Sequence, residues 1–539
     1  MPKSELRIDI LGTEISITTD EEPAYLKKLL AKYRQTIENV RQKSGLKDPL
    51  KVAVLTGFLL CDDLEKAGLR DAKINAAGEA EELTMGIISR LDEALKVSEP
   101  EEIYTVPASV KAPETTLPDA KVSARVISDN AAPVQIYKLE NTVKNYDWGS
   151  PEWLPAFLGQ KNLSRIPWAE LWMGVNPSGP SRVVPLSCPL SELIDGNPEA
   201  FLGKETAGKY GTLPFLLKII AAAKPLSIQV HPNAEQARKG FERENREGIP
   251  LGAPNRNYKD PNQKNEILCA LGPFAALCGF RKTEEITLLM DILLLNSGVE
   301  GSGLREIITG LVLALKQDQG ENSLQNFLSA LFALEREKLL ALGSFIKLSQ
   351  TQFHKDFPEY VDEWHLCSYL AALHPGDPGI LAPLYLNILE LAPEEAISIP
   401  AGTPHAYING MGIELLSDSD NVLRGGLTSK HVDHAELMKI MNYSEFIPNI
   451  MRPPAKTRTV SHIYPAGDFA LSIMRGSGTE LRYAESGPSI LIVTEGSATV
   501  NEDGAETPLK KGESVFIPAG KKAVFTGAFT AYIASCRSS

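Results

Sequence analysis

Apolar and polar positions alternate in two short stretches near the start of the chain. Apolar residues occupy every second position in residues 6–10 and again in residues 15–17, with Gly12 between the two stretches. Because side chains two apart on a strand point the same way, each stretch has one apolar face. A glycine between two such runs is typical of a turn. The pattern therefore predicts a β-hairpin.

Three helical patterns follow this hairpin. Apolar residues recur at helical spacing along residues 26–40, surround nearly the whole of residues 50–64, and return on one side of residues 83–95. A helix that is apolar all round must be buried. Because about 100 residues provide little core to cover it, we expect residues 1–97 to hold the chain in a homo-oligomer.

The next stretch, residues 98–134, is rich in proline, alanine, serine and charged residues and keeps no period. Such a composition predicts a semi-extended linker.

Beyond the linker, short strand patterns predict a mainly β region with one helical interruption. The turn sequence IPAG occurs twice between strand patterns, in SIPAGTPHAY at 398–407 and in FIPAGKKAVF at 516–525. Repeated turns between short strands are typical of jelly-roll barrels. The predicted fold class is therefore multidomain and mainly β, with an α+β module at the N terminus. The expected divisions are a first barrel from residues 135–282 and 375–450, a helical insertion at 283–374, and a second barrel at 451–539.

Length, charge and cysteine usage narrow the possible functions. A chain of 539 residues is expected to form roughly three domains. The formal net charge of −13 disfavours nucleic acid or an anionic membrane as the main partner. No apolar stretch approaches the ~20 residues of a membrane span. The six cysteines are scattered without a CxxC pair, which predicts free thiols and a cytoplasmic protein.

The stretch PLSIQVHPN contains the first candidate for chemistry. Ser227, Gln229 and His231 share one face of the predicted strand, while the alternate positions are apolar. An edge strand with one face in water would show this pattern. Half of a metal site would show it as well, and that interpretation requires further ligands from elsewhere in the chain.

Two later positions could supply those ligands. Glu266 begins the apolar strand pattern ILCAL, and His405 follows the first IPAG turn. Two histidines, a glutamate and a glutamine amide oxygen suit Zn²⁺, although a single histidine at a strand end is often only a hydrogen-bonded core residue. The second IPAG copy has Ala523 at the position of His405, so only the first barrel carries the candidate site.

From about residue 136 to the C terminus, the chain resembles the type I mannose-6-phosphate isomerases (phosphomannose isomerases). The motifs that carry this resemblance are VKNYDWGSPEW at 143, PWAELWMGVNPSGPSRV at 167, LSIQVHPN at 226, YKDPNQKNEI at 258, IPAGTPHAY at 399 and LSDSDNVLRGGLTSKHVD at 416. The resemblance implies a Zn²⁺ cofactor and its protein ligands, which are Gln229, His231, Glu266 and His405.

The resemblance also implies the reaction, which interconverts mannose 6-phosphate and fructose 6-phosphate through an enediol. Such a reaction needs a Lewis acid, a proton carrier and cations for the phosphate. Arg424 is the residue implied to stabilise charge in the transition state. The candidate proton carriers are Lys264, Glu414 and Asp420. The candidate phosphate contacts are Ser227, Lys218 and Lys430.

The N-terminal region resembles a different family, the cell-division protein ZapA. LRIDILGTEISI and KDPLKVAVL carry this resemblance, which covers residues 1 to about 97. It implies a dimerising module and FtsZ as a possible partner. A generic helical dimerisation module would show the same pattern.

Two other functions fit parts of the sequence. One is a cupin sugar-phosphate sensor without turnover, fused to a cell-division scaffold. The other is an iron oxygenase, which needs two histidines and one carboxylate with open metal positions. Gln229 as a fourth ligand argues against the oxygenase.

Overall fold

The computed structural model describes residues 4–10, 13–19, 36–37, 132–184, 186–298, 303–318, 321–453, 462–466 and 468–536. The chain divides into two compact units, residues 1–123 and residues 124–539.

In the first unit, strands β1 (Ser4–Ile10) and β2 (Thr13–Thr19) pair in antiparallel fashion. The predicted hairpin is therefore present. Residues 36–37 are helical, within the first helix expected from the sequence. The expectations for the rest of that helix, for the two helices after it and for most of the linker fall outside the described residues.

The second unit is mainly antiparallel β-structure. Its first twelve strands are β3 (Tyr137–Glu140), β4 (Thr142–Lys144), β5 (Glu170–Met173), β6 (Arg182–Val183), β7 (Cys188–Pro189), β8 (Phe215–Ala222), β9 (Ile228–Val230), β10 (Glu266–Phe280), β11 (Leu386–Leu391), β12 (Ala396–Ile399), β13 (His405–Ser417) and β14 (Leu423–Gly426). The remaining strands are β15 (His462–Ala466), β16 (Phe469–Ser477), β17 (Leu481–Ala484), β18 (Ser489–Glu502), β19 (Ala505–Lys510), β20 (Ser514–Ile517), β21 (Lys522–Thr526) and β22 (Ala528–Cys536).

Helices connect these strands, and six of the described helices follow one another between β10 and β11. The helices are α1 (Trp153–Leu158), α2 (Leu190–Gly196), α3 (Pro198–Tyr210), α4 (Ala234–Arg246), α5 (Thr283–Leu295), α6 (Gly303–Lys316), α7 (Glu321–Phe332), α8 (Arg336–Asp356), α9 (Val361–Leu373), α10 (Ala382–Tyr385) and α11 (His434–Ile440). Short 3₁₀ turns occupy Pro358–Tyr360 and Pro378–Leu381. No helix in the described ranges has the length and apolar character of a membrane span.

Nine strands form the first sheet, in the order β11-β10-β13-β8-β5-β4, with β12, β9 and β14 paired at its side. Strand β8 is buried at every residue, which accounts for its nearly continuous apolar sequence. Lys218 is the one charged residue within this strand. The sheet therefore buries a lysine within an otherwise apolar strand.

Eleven strands form the second sheet, which draws on both ends of the unit. Besides β15 to β22 it contains β3, β6 and β7, and β3 pairs directly with β20. The division expected at residue 451 therefore does not separate the two sheets. The early strand Tyr137–Glu140 belongs with the late ones, because its hydrogen-bond partners lie there.

One apolar cluster joins the two sheets. It contains Leu217 and Ile219 of β8, Ile413 of β13, and Ile490 and Ile492 of β18, all fully buried. Each such side chain contributes about 1.5–3 kcal/mol relative to an exposed position. The two sheets thus stabilise each other through a shared core.

A second apolar cluster joins the helices α5 to α9 to strands β9 and β14. Ile228 and Val230 of β9 lie in it together with Leu289 and Trp364 of the helices. Successive strand residues point to opposite sides. Covering the apolar side of β9 with helices therefore leaves Gln229 on the other side, where the candidate site lies.

Strand β3 generates a first prediction. Its Tyr137 is almost fully buried and its neighbour Ile136 donates a backbone hydrogen bond to Glu502. A chain beginning at Ala132 should unfold at the same temperature as residues 132–539 do in the full-length protein. A chain beginning at Asn141 lacks β3, and its unfolding midpoint should be lower by at least about 5 °C. Differential scanning calorimetry of the two truncated chains measures this, and equal midpoints would show that β3 is dispensable.

Candidate metal centre

Strand β9 brings the first two predicted ligands into the first sheet. Gln229 lies opposite His405 of β13 on one side and opposite Arg424 of β14 on the other. His231 directly follows the strand and is buried. The register of β9, β13 and β14 therefore gathers four of the predicted site residues.

The IPAG turn fixes His405 against His231. The backbone N–H of Gly402 donates to the carbonyl oxygen of His231 at 2.8 Å. Gly402 has a φ of +85°, a conformation that glycine adopts without steric cost. The turn is thus bound to the strand that carries the first histidine, and His405 begins β13 directly beyond it.

Three buried side chains converge at this point. The carboxylate of Glu266 lies between the two imidazoles, with Oε1 3.3 Å from His231 Nε2 and Oε2 3.2 Å from His405 Nε2. One donor atom from each of the three residues lies within 4.8 Å of the others. Two nitrogens and one carboxylate at such separations form a set that can hold a divalent metal ion.

The hydrogen bonds of the two rings show which atoms face the centre. His231 Nδ1 donates to the carbonyl of Asn421 at 2.8 Å, and His405 Nδ1 donates to that of Thr403 at 3.0 Å. In the neutral rings both Nε2 atoms therefore present lone pairs toward Glu266. Glu266 Oε2 is buried and receives no hydrogen bond from the described residues. Lys264 Nζ lies 3.4 Å from His231 Nε2 and offsets part of the repulsion between these lone pairs. A divalent cation among them would remove the rest.

Lys264 brings a positive charge to this centre. Its Nζ lies 2.7 Å from Glu266 Oε1. Burial alone would raise the pKa of Glu266, but Lys264 and His231 hold it well below its ordinary value. Burial, assisted by Lys264, lowers the pKa of His231 to about 4. The site thus keeps an ionised carboxylate beside a neutral imidazole, which are the forms that coordinate metals.

A second buried charge cluster lies on the neighbouring strands. Lys218 Nζ lies 3.1 Å from Glu414 Oε2 and 3.8 Å from Glu170 Oε1. Burial would lower the pKa of Lys218, but Glu170 and Glu414 outweigh it and raise the pKa. Burial raises the pKa of Glu414 against the opposing charge of Lys218. Tyr407 completes the cluster by donating from its hydroxyl to Glu414 Oε1 at 2.9 Å.

Cations without carboxylate partners lie at the rim of the site. Arg424 is half-buried, while Lys430 and Lys259 are exposed. Partial removal from water lowers the pKa of Lys430, the positive charges of Arg424 and Lys259 lower it further, and the carboxylates of Asp147 and Glu170 oppose this shift. In the part of the chain that the structure describes, none of these three cations has an ion-pair partner. The rim thus presents positive charges that are not held in close ion pairs, on a protein that is acidic overall.

A hydrogen-bonded support lies beneath His231. The amide of Asn421 is fully buried, and its oxygen accepts from the backbone N–H groups of Lys259 and Asp260. The same side chain donates to the carbonyl oxygen of Asp260 at 2.8 Å. Asn421 thereby holds its own carbonyl toward the ring of His231, which fixes the orientation of that ring.

Three other predicted residues are not among the converging donor side chains. Ser227 precedes β9 on the chain and is half-buried. The backbone N–H of Asp420 donates to Asp260, in the support beneath His231. Lys218, a candidate phosphate contact, lies within β8, and its charge is already balanced by two carboxylates.

Sequence reasoning missed several residues of the second cluster. Glu170 and Trp172 share a face of β5, and Trp172 Nε1 donates to Glu170 Oε2 at 2.6 Å. Tyr407 follows His405 by two positions and so lies on the same face of β13. The spacing of Tyr407 could have been recognised in advance. The pairing of β5 with β8, which brings Glu170 to Lys218, could not be.

A mainly β fold with a buried His₂Glu centre and a cationic rim defines a metalloprotein that binds an anionic ligand. Comparisons with known proteins narrow this class. The sequence profile described as phosphomannose isomerase type I, catalytic domain, matches residues 136–283. The chain is 36% identical over 392 residues to the mannose-6-phosphate isomerase of Escherichia coli (strain K12), covering 72% of this chain and 96% of that protein.

Relatives from other kingdoms and solved structures agree with this match. The mannose-6-phosphate isomerase of Mus musculus is 32% identical over 414 residues, which cover 72% of this chain and 94% of that protein. A zinc-bound crystal structure of mannose 6-phosphate isomerase is 33% identical, with a TM-score of 0.67 over 75% of this chain and 100% of that one. The apo form from Salmonella typhimurium has a TM-score of 0.66 at 33% identity, over 75% of this chain and 100% of that one.

The chain belongs to the mannose-6-phosphate isomerase family. In addition, the profile of the cell division protein ZapA matches residues 6–96. Both resemblances recognised in the sequence are thereby confirmed.

The converging lone pairs generate a second prediction. His405→Ala removes one of three donors, and the affinity for divalent metal should fall at least about a hundredfold. Metal content after dialysis, measured by inductively coupled plasma mass spectrometry, should drop from about one ion per chain to near zero. His365→Ala, an exposed histidine of α9, is the matched control and should keep its metal. Full metal content in the His405 variant would contradict the assignment.

Proposed function

We propose that this protein is a zinc-dependent isomerase that interconverts mannose 6-phosphate and fructose 6-phosphate. The observation that carries the proposal is the buried centre of His231, Glu266 and His405 beside a rim of unpaired cations. A sugar phosphate needs a place for its reacting carbonyl and a place for its dianion. This chain provides a candidate for each.

The proposed zinc ligands are Gln229, His231, Glu266 and His405. When bound, Zn²⁺ polarises the sugar carbonyl and lowers the cost of forming the enediol. The residues around it fix the geometry of this step. Asn421 and Thr403 orient the two imidazoles, and Lys264 keeps Glu266 ionised.

The reaction moves a proton between C1 and C2 of the sugar. Of Lys264, Glu414 and Asp420, we favour Glu414 as the carrier. A raised pKa brings a carboxylate closer to the range in which it both accepts and returns a proton. The ammonium of Lys264 is instead engaged by Glu266 at 2.7 Å, where it serves the charge balance of the centre.

The phosphate is proposed to lie at the rim. Lys430 is the direct contact we favour, since none of the described carboxylates forms a close ion pair with it. Ser227 is a further candidate on the Gln229 face of the strand. Lys218 acts at longer range in this proposal, because Glu414 and Glu170 already balance its charge.

The finer description of the fold is also a proposal. We infer that the two sheets form cupin barrels of the jelly-roll type, with the metal only in the first. Ala523, which replaces the histidine in the second IPAG turn, lies within an apolar cluster, and this supports a structural role for the second barrel. The scattered cysteines favour the cytoplasm as the site of action.

The direct test is conversion of mannose 6-phosphate to fructose 6-phosphate in an assay coupled to glucose-6-phosphate formation. Activity that disappears with a chelator and returns with Zn²⁺ supports the proposal. Stoichiometric zinc without turnover would leave the sugar-phosphate sensor as the remaining function.

Arg424 generates a third prediction. Arg424 pairs with Gln229 in the sheet and carries a charged guanidinium, which can stabilise the negative charge that develops on the sugar oxygens. Arg424→Ala should lower kcat/KM by roughly a hundredfold to a thousandfold, as expected for loss of a preorganised charge. Zinc content should stay at the wild-type level. The exposed Arg238→Ala is the control, and a loss of less than about tenfold in the Arg424 variant would exclude this role.

We further propose that residues 1–97 form a homo-oligomer and that FtsZ is a possible partner of this module. The ZapA profile match and the β1–β2 hairpin support the proposal. Light scattering should show an oligomer for the full-length chain and a monomer for the chain beginning at Ala132. Isomerase activity per chain should be equal in the two. A monomeric full-length protein at micromolar concentration would overturn the assembly role, and co-sedimentation with FtsZ polymers tests the partner separately.

A further inference from the structure

Asp377 forms an unusual link between the helical segment and the loop that carries the rim cations. It follows α9 and caps the 3₁₀ turn Pro378–Leu381, accepting from the backbone N–H of Gly379 at 2.7 Å. The same carboxylate crosses to the loop after β14. There Oδ1 accepts from the N–H of Leu427 at 2.8 Å, and Oδ2 accepts a longer bond from that of Thr428 at 3.4 Å.

This loop would not hold its shape unaided. Leu427 has a φ of +56°, in the left-handed region that residues with a Cβ avoid, and Gly426 before it has a φ of +141°. Residues in such conformations persist only when their surroundings fix them. Leu427 is buried. Two of the three hydrogen bonds that Asp377 accepts come from this loop, so its carboxylate is one of the groups that fix the loop.

Two glycines make room for the carboxylate. A Cβ added to Gly426 would lie 2.6 Å from Asp377 Oδ1, and one added to Gly379 would lie 2.9 Å from the same atom. Such separations are too short for any side chain. No lysine or arginine among the described residues pairs with Asp377. Its negative charge is therefore directed at backbone N–H groups, an arrangement that strengthens each bond.

The link continues from Asp377 to Lys430. The hydroxyl of Thr428, whose N–H is held by Asp377, accepts from the backbone N–H of Lys430 at 3.1 Å. The Lys430 ammonium lies 5.6 Å from the centre of the Tyr146 ring. Arg424, on the other side of the loop, is already fixed by its pairing with Gln229 in the sheet. Lys430 has no such pairing and depends on the loop.

We propose that Asp377 is a positioning residue for the reaction: acting through Thr428, it holds Lys430 where that lysine binds the phosphate of the substrate. The proposal rests on the isomerase function proposed above. It implies that the helical segment α5–α9, which ends just before Asp377, contributes to substrate recognition although none of its helices carries a predicted site residue. Misplacing one charged group by about 1 Å is enough to weaken its contribution strongly.

Steady-state kinetics of Asp377→Asn, Thr428→Val, Lys430→Ala and the double variant Asp377→Asn/Lys430→Ala test the proposal. Asp377→Asn puts an N–H donor where an acceptor is needed, and Thr428→Val removes only the hydroxyl acceptor. Each should raise KM for mannose 6-phosphate about tenfold and change kcat less than about threefold. Inorganic phosphate should become a weaker competitive inhibitor by a similar factor. Asp356→Asn, an exposed aspartate at the end of α8, is the control and should match the wild type.

The double variant separates positioning from general structural support. If Asp377 acts through Lys430, the double variant should have the KM of Lys430→Ala within about twofold, because the effects of coupled residues do not multiply. If the effects of the two substitutions on KM multiply in the double variant, or if kcat falls by as much as KM rises, the proposal is overturned. If Asp377→Asn does not fold, an unchanged KM in folded Thr428→Val overturns it alone. An inactive wild-type protein would instead refute the isomerase function, so the two failures are distinct.

Discussion

A carboxylate removed from water between two imidazoles is the constraint around which this protein is organised. Glu266 is almost fully buried, and an isolated charge in that position would be very costly. Lys264 offsets part of the cost, while both rings direct Nδ1 at backbone carbonyls and not at Glu266. A cation bound between the three donor residues would offset the remaining cost, and their donor atoms are already arranged to hold one.

This constraint also fixes the register of the sheet. Glu266 begins β10, His405 begins β13, and His231 directly follows β9. A slip of one residue in any of these strands would turn the side chain to the opposite face, into an apolar core. The turns that set the register are correspondingly tied to the site, as the bond from Gly402 to His231 shows.

The sequence predicted most of the centre because its signals were local. Alternation marked one face of β9, and Glu266 and His405 stood at the starts of strand patterns. The Lys218 cluster was not predictable in the same way. Its members come from β5, β8 and β13, and only the pairing of these strands brings them together. The division expected at residue 451 does not separate the two sheets for the same reason, since nothing near Tyr137 in the sequence reveals that its partner is Phe516.

That pairing of β3 with β20 also affects how the chain folds during its synthesis. Strand β3 leaves the ribosome early, whereas Glu502, the hydrogen-bond partner of Ile136 next to it, lies 366 residues further on. Closing so long a separation is slow, and until then β3 has unpaired backbone groups that can pair with other chains. The second sheet can be completed only when almost the entire chain has been translated. Nascent chains that end before β20 should therefore be the ones that require chaperones.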